Sequence, residues 1–187
     1  RDELLQTADE SLGTLASLVT DLLDVSRLQA GALAVSLFAI DPADAILPAL
    51  EELDAGPASV DIHLEPDAAV LADPVLLQRV VVNLLANALR HSPEGRKVRV
   101  ATSSFGRVVE IRIIDHGPGI PAERRDDVFV PFQRLGDTDN STGLGLGLAL
   151  SKGFVEGMGG TLTPEDTPGG GLTMVVSLPV AEEEEHA

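Results

Sequence analysis

Three short stretches carry residues whose types and spacing could do chemistry. In DPVLLQRVVVNLLANALRHS (Asp73 to Ser92), Asn83, Asn87 and Arg90 recur at i, i+4 and i+7, one line on a helix. A neutral carboxamide oxygen is a suitable hard ligand for Mg²⁺, which also leans on phosphates and water. The guanidinium of Arg90 could meet a phosphate directly. An Asn pair on an arbitrary helix is more often a solvated polar stripe, so the other two stretches have to decide.

The second stretch is DHGPGI (Asp115 to Ile120), which closes the alternating run Val109, Ile111, Ile113. An acid at a strand end can accept a hydrogen bond from an exocyclic amine such as that of adenine. Gly117 and Gly119 let the backbone approach a flat ring closely. A loose match to G-x-G-x-x-A through Gly117, Gly119 and Ala122 is rejected, because Pro118 and Pro121 interrupt it and no long helix starts there. The third stretch, GLGLGLALSK (Gly143 to Lys152), runs Gly143, Gly145 and Gly147 into an apolar helix. Free N–H groups and the dipole at a helix start bind phosphate anions. No Gly-Lys-Ser/Thr follows, so this is not a Walker loop. Taken singly, the second is a capped turn and the third a hinge. Taken in order, the three outline a nucleotide pocket. Phe129 and Phe132, flanking Pro131 in VFVPFQRL, either anchor a lid over it or pack in the core.

The elements that must position these residues follow from periodicity. Residues 3–30 read as one amphipathic helix stopped by Gly31. Its seam repeats every seven residues at Leu5, Leu12, Val19 and Ser26 and at Ala8, Leu15, Leu22 and Gln29. That helix either packs on its own domain or forms half of a hairpin that pairs in a dimer. Leu33 to Ile40 reads as a strand. Asp41-Pro42 and Asp73-Pro74 each place an acid at an N-cap and proline at N1, starting helices to about Leu53 and Arg90. Val60, Ile62 and Leu64 alternate with polar residues as a half-buried strand, and Val70 to Ala72 is another.

Lys97 to Phe105 and Val108 to Asp115 read as strands joined at Gly106-Arg107. Pro121 to Val128 reads as a short helix, Gln133 to Thr142 as a mobile loop, and Gly147 to Met158 as a helix. Thr161 to Pro164 and Leu172 to Leu178 form a last hairpin around the glycines at 169–171. The fold class is α+β: a two-layer sandwich, with about three helices on one face of a mixed sheet, preceded by one amphipathic helix.

Composition bounds the partners. The 187 residues carry a formal charge of −17, which argues against a nucleic-acid surface. With no cysteine, disulfides and thiolate metal sites are excluded. Aromatics amount to five Phe with no Trp or Tyr, so aliphatic side chains must build the core. No apolar run approaches the ~18 residues that would span a bilayer. A chain opening on Arg1 is expected to be the cytosolic, non-embedded part of something longer, with an upstream membrane anchor allowed.

These stretches resemble the motifs of bacterial sensor histidine kinases over roughly residues 33–180. NLLANALRHS is similar to the family's N box, DHGPGI to its first glycine box, VFVPFQRL to its F box and GLGLGLALSK to its second glycine box. LLDVSRLQAGAL (Leu22 to Leu33) resembles the second helix of the dimerisation hairpin. That stretch and GMGGTLTPEDTPGG also resemble the potassium-responsive Kdp-type members. The resemblance implies a Bergerat-type ATP-binding fold at 33–180 and a partial dimerisation helix at 1–32, while the charge run at 181–187 reads as an acidic disordered tail.

By the same resemblance, the cofactors are ATP and Mg²⁺. Asn87 would hold Mg²⁺, Asp115 would bind the adenine amine, and Gly117 and Gly119 would shape the adenine pocket. Gly143, Gly145 and Gly147 would wrap the phosphates, with Arg90 nearby. His91, Ile120, Phe132, Leu144 and Leu146 would complete the nucleotide contacts. Asn83 falls where related ATPases place a water-activating glutamate; an amide is a poor base there, which favours phosphoryl transfer over hydrolysis. The implied partners are a response regulator and a second copy joined through the N-terminal hairpin.

Two departures stand out. None of His63, His91, His116 and His186 matches the family's phospho-acceptor, so the acceptor is expected upstream and this chain should not phosphorylate itself. Leu144 stands where the family often has a small polar residue. The alternatives are a non-catalytic nucleotide-binding interaction module and a serine kinase of the anti-sigma type.

Overall fold

A computed structural model describes residues 2–66, 68–132 and 145–181. Strands β2 (Val60–His63), β4 (Val98–Phe105), β5 (Val108–Ile114), β7 (Leu172–Pro179) and β6 (Thr161–Asp166) form one mixed sheet in the order β2-β4-β5-β7-β6. The β2–β4 pair is parallel and the rest are antiparallel. A separate antiparallel pair joins β1 (Phe38–Ile40) to β3 (Val70–Ala72).

Helices α2 (Ala43–Glu52), α3 (Pro74–His91) and α4 (Gly147–Gly157) cover one face of the large sheet. Alternation along the strands makes this possible, since every second side chain points to the same side. Val98 and Val100 of β4, Val109, Ile111 and Ile113 of β5, and Met174, Val176 and Leu178 of β7 are buried under the helices. They meet Ile46 of α2, Leu77, Val81 and Leu84 of α3, and Leu150 and Phe154 of α4. On the opposite face Arg112 bridges Glu110 and Glu165 at 2.9 and 3.0 Å. This is the two-layer α+β sandwich that the periodicities indicate.

Local chemistry sets the helix starts. Asp73 has extended backbone and its Oδ1 accepts from Val75 N–H and Leu76 N–H at 3.0 and 3.1 Å, with Pro74 first in α3. Its Oδ2 accepts from Ser36 N–H at 2.9 Å, tying the linker after α1 to the same point. At α2 the helix begins one residue later than the Asp41-Pro42 pattern indicates, at Ala43, while Asp41 Oδ1 still accepts from Ala43 N–H at 2.8 Å.

Three expectations are corrected. The strand expected over Leu33 to Ile40 is only Phe38–Ile40, because β3 offers just three residues to pair with; Leu33 and Val35 instead pack on the core. Ile62 is 44% exposed, since β2 is an edge strand beyond the helical layer. The expected helix at 121–128 is two single 3-10 turns, Ala122–Arg124 and Asp127–Phe129. The loop at 133–142 and the tail from 182 lie outside the described residues.

The first helix, α1 (Asp2–Gln29), packs on its own domain along one face and leaves its heptad seam exposed on another. Its seam residues Leu5, Leu12, Leu15, Val19 and Leu22 stay exposed, from 42% to 65%. Another stripe, Leu18, Asp21, Asp24, Val25 and Leu28, is partly or fully buried, and Asp24, Val25 and Leu28 lie against the helical layer. Among the described residues, no helix is long and apolar enough to cross a membrane.

Candidate functional site

The C-terminal end of β5 delivers Asp115 into a backbone cradle. The carboxylate is 5% exposed, and its Oδ1 accepts from Gly117 N–H at 2.8 Å and Leu172 N–H at 3.0 Å. Asp115 N–H in turn donates to Leu172 O at 2.9 Å. One carboxylate oxygen is therefore fixed. The other, Oδ2, takes no hydrogen bond from a described residue and is not sealed from solvent. A rigid acceptor with one free oxygen is what recognition of an exocyclic amine requires.

Close approach explains two of the glycines. A Cβ on Gly117 would sit 2.6 Å from His91 O, so the turn after Asp115 packs directly on the end of α3. Gly119 has φ +71, and a Cβ there would lie 3.0 Å from Gly171 O. The sequence treated the glycines at 169–171 only as a turn. The structure gives Gly171 a larger role: its φ is +121, and a Cβ would fall inside contact distance of Asp115 O. Gly171 and Leu172 thus hold Asp115 from the far hairpin, a relation no local pattern contains.

Helix α3 carries the carboxamides along one side. Asn83 Nδ2 donates to Gly147 O and to Ser151 Oγ, both at a long 3.4 Å, tying α3 to the start of α4. Asn87, one turn on, is half-buried and makes no side-chain hydrogen bond to a described residue. Arg90 and His91 are exposed at the helix end. Around the same junction, Ser92 Oγ and His116 Nδ1 are buried without a partner among the described residues.

The start of α4 lies next to Asn83, with the Asn83 Cγ 3.6 Å from where a Cβ on Gly147 would be. Gly145 has φ +71. Leu146 is 2% exposed with its side chain in the core, so only its backbone is free to meet a ligand. Gly143 and Leu144 lie outside the described residues. Phe132 is 58% exposed at φ +66, and its N–H donates to Gly145 O at 3.2 Å, which joins the two ends of the segment 133–144. Phe129 is packed against the core, with Lys152 Nζ 4.8 Å from its ring centroid. Ile120 is half-buried beside this turn, and its carbonyl accepts from Arg125 Nε at 3.5 Å.

The site is thus assembled from the end of α3, the turn after β5, the β6–β7 turn and the start of α4. Among the described residues, no group of three or more His, Cys, Asp or Glu forms a metal cluster. A cation there would have to lean on an amide and on its ligand's own oxygens.

Comparison with known proteins identifies the family. The family described as "Histidine kinase-, DNA gyrase B-, and HSP90-like ATPase" matches residues 72–182. The sensor protein KdpD of Rathayibacter rathayi is 68% identical over 176 residues, 92% of this chain and 20% of that protein. KdpD of Mycobacterium tuberculosis (strain H37Rv) is 44% identical over 191 residues, 97% of this chain and 22% of that protein. The chain therefore spans about a fifth of the length of these curated relatives. Among solved structures, a mycobacterial sensor histidine kinase, MprB, is 30% identical with a TM-score of 0.69, over 79% of this chain and 100% of that one. Full-length ShkA in complex with AMPPNP is 28% identical with a TM-score of 0.79, over 97% of this chain and 39% of that one. The family match over most of the chain and the likeness to these kinases lead to one conclusion: the chain belongs to the histidine kinase-, DNA gyrase B- and HSP90-like ATPases, and within them to the sensor histidine kinases.

Proposed function

We propose that this chain is the ATP-binding unit of a sensor histidine kinase of the Kdp type. The observation that carries the reading is the fixed Oδ1 and free Oδ2 of Asp115 at the mouth of the glycine turn. Oδ2 would accept the adenine amine, with Gly117 and Gly119 against the ring. Gly145, Gly147 and the amides opening α4 would face the phosphates, an arrangement that helix-terminal N–H groups favour. Arg90 would reach the same anions from the end of α3.

Asn87 fits Mg²⁺ because its carboxamide is half-buried and uncommitted to any described residue. When bound, the ion would neutralise phosphate charge. Asn83 is committed to α4 and, being an amide, supplies no base. Its chemistry therefore supports transfer to a nucleophile held elsewhere rather than activation of water.

In the whole protein, the γ-phosphoryl would pass to a histidine imidazole upstream, with ADP leaving, and then to an aspartate of a response regulator. A second copy would pair through the exposed α1 seam, completed by a preceding helix. The test is to compare this chain with one extended upstream to include that helix, using ATP labelled at the γ-phosphate. Acid-labile label on the longer chain and none on this one supports the reading. Acid-labile label on this chain alone contradicts it.

A further inference from the structure

Two turns meet at Asp115, and they come from distant parts of the chain. The near one, after β5, runs over 117–120; the far one joins β6 to β7 through the glycines at 169–171. They touch where Gly119 faces Gly171, a Cβ on Gly119 lying 3.0 Å from Gly171 O. Each also holds the carboxylate, Gly117 N–H from the near turn and Leu172 N–H from the far one. The placing of Asp115 therefore depends on how the two turns sit against each other.

Arg125 spans them. It lies between the two 3-10 turns that follow Ile120, with its side chain 25% exposed. Its Nη2 is 2.5 Å from Asp166 Oδ1, and its Nε donates to Ile120 O at a long 3.5 Å. Ile120 ends the near turn. Asp166 is the last residue of β6 and pairs with Leu172 across the far one.

Followed round, these contacts close a ring. It runs from Asp115 through Gly117 and Ile120 to Arg125, on to Asp166, across the strand pair to Leu172 and back to Asp115. The far turn is closed from within, so it passes on a displacement at Asp166 instead of absorbing it. Thr167 N–H donates to Gly171 O at 3.1 Å, Gly170 N–H donates to Thr167 O at 2.9 Å, and the buried hydroxyls of Thr167 and Thr173 meet at 2.9 Å. The near side has less support of its own, for over 121–130 only Val128 is buried. A guanidinium suits the closing place, because its planar fork serves a carboxylate and a carbonyl at once.

We propose that Arg125 is a positioning residue that closes this ring, and that it sets the aim of Asp115 Oδ2 and with it the selection of a purine bearing an exocyclic amine. Arg125 acts through Ile120 and Leu172 and touches no ligand itself. The selection rests on the nucleotide reading. The brace on Asp115 does not, so the two are measured separately.

An exposed ion pair adds little to global stability, so Arg125→Gln is expected to keep the melting temperature within about 3 °C of wild type. The first measurement is amide hydrogen exchange of the chain without nucleotide. Arg125→Gln is expected to speed exchange at Gly117 and Leu172 roughly fivefold and to leave the amides of α2 unchanged. The second is calorimetric titration with Mg-ADP and with Mg-IDP, whose base carries an oxo group in place of the amine. Wild type should prefer ADP, and Arg125→Gln should reduce that preference roughly fivefold, by weakening ADP binding while IDP binding changes little.

Asp166→Ala removes a side chain that is 76% exposed, so it breaks the same link without disturbing the core and should repeat both results. Arg125→Asp with Asp166→Arg should recover part of the protection and part of the preference. Unchanged exchange at Gly117 and Leu172 in both single variants would overturn the brace. Faster exchange with an unaltered ADP-to-IDP ratio would overturn its role in selection. A wild type that binds neither nucleotide would contradict the nucleotide reading, and the exchange rates would still decide the brace.

Discussion

Leu172 N–H and Asp115 Oδ1 meet at 3.0 Å although they stand 57 residues apart in the chain. The pairing makes the β6–β7 turn part of the candidate site. It also explains why Gly171 precedes Leu172, for the backbone there runs against Asp115 without a side chain between, whereas Gly169 and Gly170 border open space at φ +89 and +107. Gly171 is the tightest of them, with φ +121 and no room for a Cβ beside Asp115 O.

Gly171→Ala is accordingly expected to destabilise the fold by more than about 2 kcal/mol, strain and clash adding together. Chemical denaturation followed by far-ultraviolet circular dichroism measures this. A change within about 0.5 kcal/mol would mean that the turn relaxes freely and does not brace Asp115.

Asp73 satisfies the first turn of α3 through Oδ1 and the α1 linker through Oδ2. Asp73→Ala should cost about 1–2 kcal/mol, while Asp73→Asn, which keeps an acceptor for the cap, should cost less. Equal losses in both would show that the linker contact, not the cap, dominates.

Asn83 makes two contacts, both at 3.4 Å. Bonds that long contribute little, so Asn83→Ala is expected to change stability by less than about 1 kcal/mol. A larger loss would mean that the α3–α4 junction depends on this amide more than its distances indicate.

Burial pushes the Asp21 carboxyl above its usual range, against the pull of Arg79, with the neighbouring Asp24 adding to the rise. The sign follows from the protonated form being favoured in the fold. Asp21's contribution is fully present below the ordinary carboxyl value of 3.8 and is lost as pH rises through the higher folded value. Relative to wild type, Asp21→Asn should therefore gain stability between pH 4 and pH 7. Denaturation midpoints for the pair across that range test it; a gap that narrows toward neutral pH contradicts the assignment.

Much of the fold was legible because its signals are local. The α3 cap, the alternation in β4 and β5, and the 3.6-residue stripes of α3 and α4 follow from neighbours in sequence, and the structure keeps them. Pairing partners were not legible. Phe38–Ile40 is short because β3 is short, and Ile62 is exposed because β2 ends the sheet; neither fact lies in the strand itself. The site divides the same way. Asp115 and its glycines announced themselves by type and spacing, whereas Gly171 and Leu172 join the site only through tertiary folding. Nothing near Arg79 in sequence indicates its partners Asp21 and Asp24.

The central claim is that Asp115 Oδ2 receives an adenine amine, and calorimetric titration of Mg-ADP into this chain, beside Asp115→Asn and Asn87→Ala, tests it most directly. Asparagine can keep its oxygen on Gly117 and Leu172 but would turn an amide donor toward a donor on the ligand, so binding should be lost with the fold intact. Asn87→Ala should bind with the Mg²⁺ dependence removed. Wild-type affinity in Asp115→Asn, or no heat from wild type at millimolar nucleotide, would contradict the account.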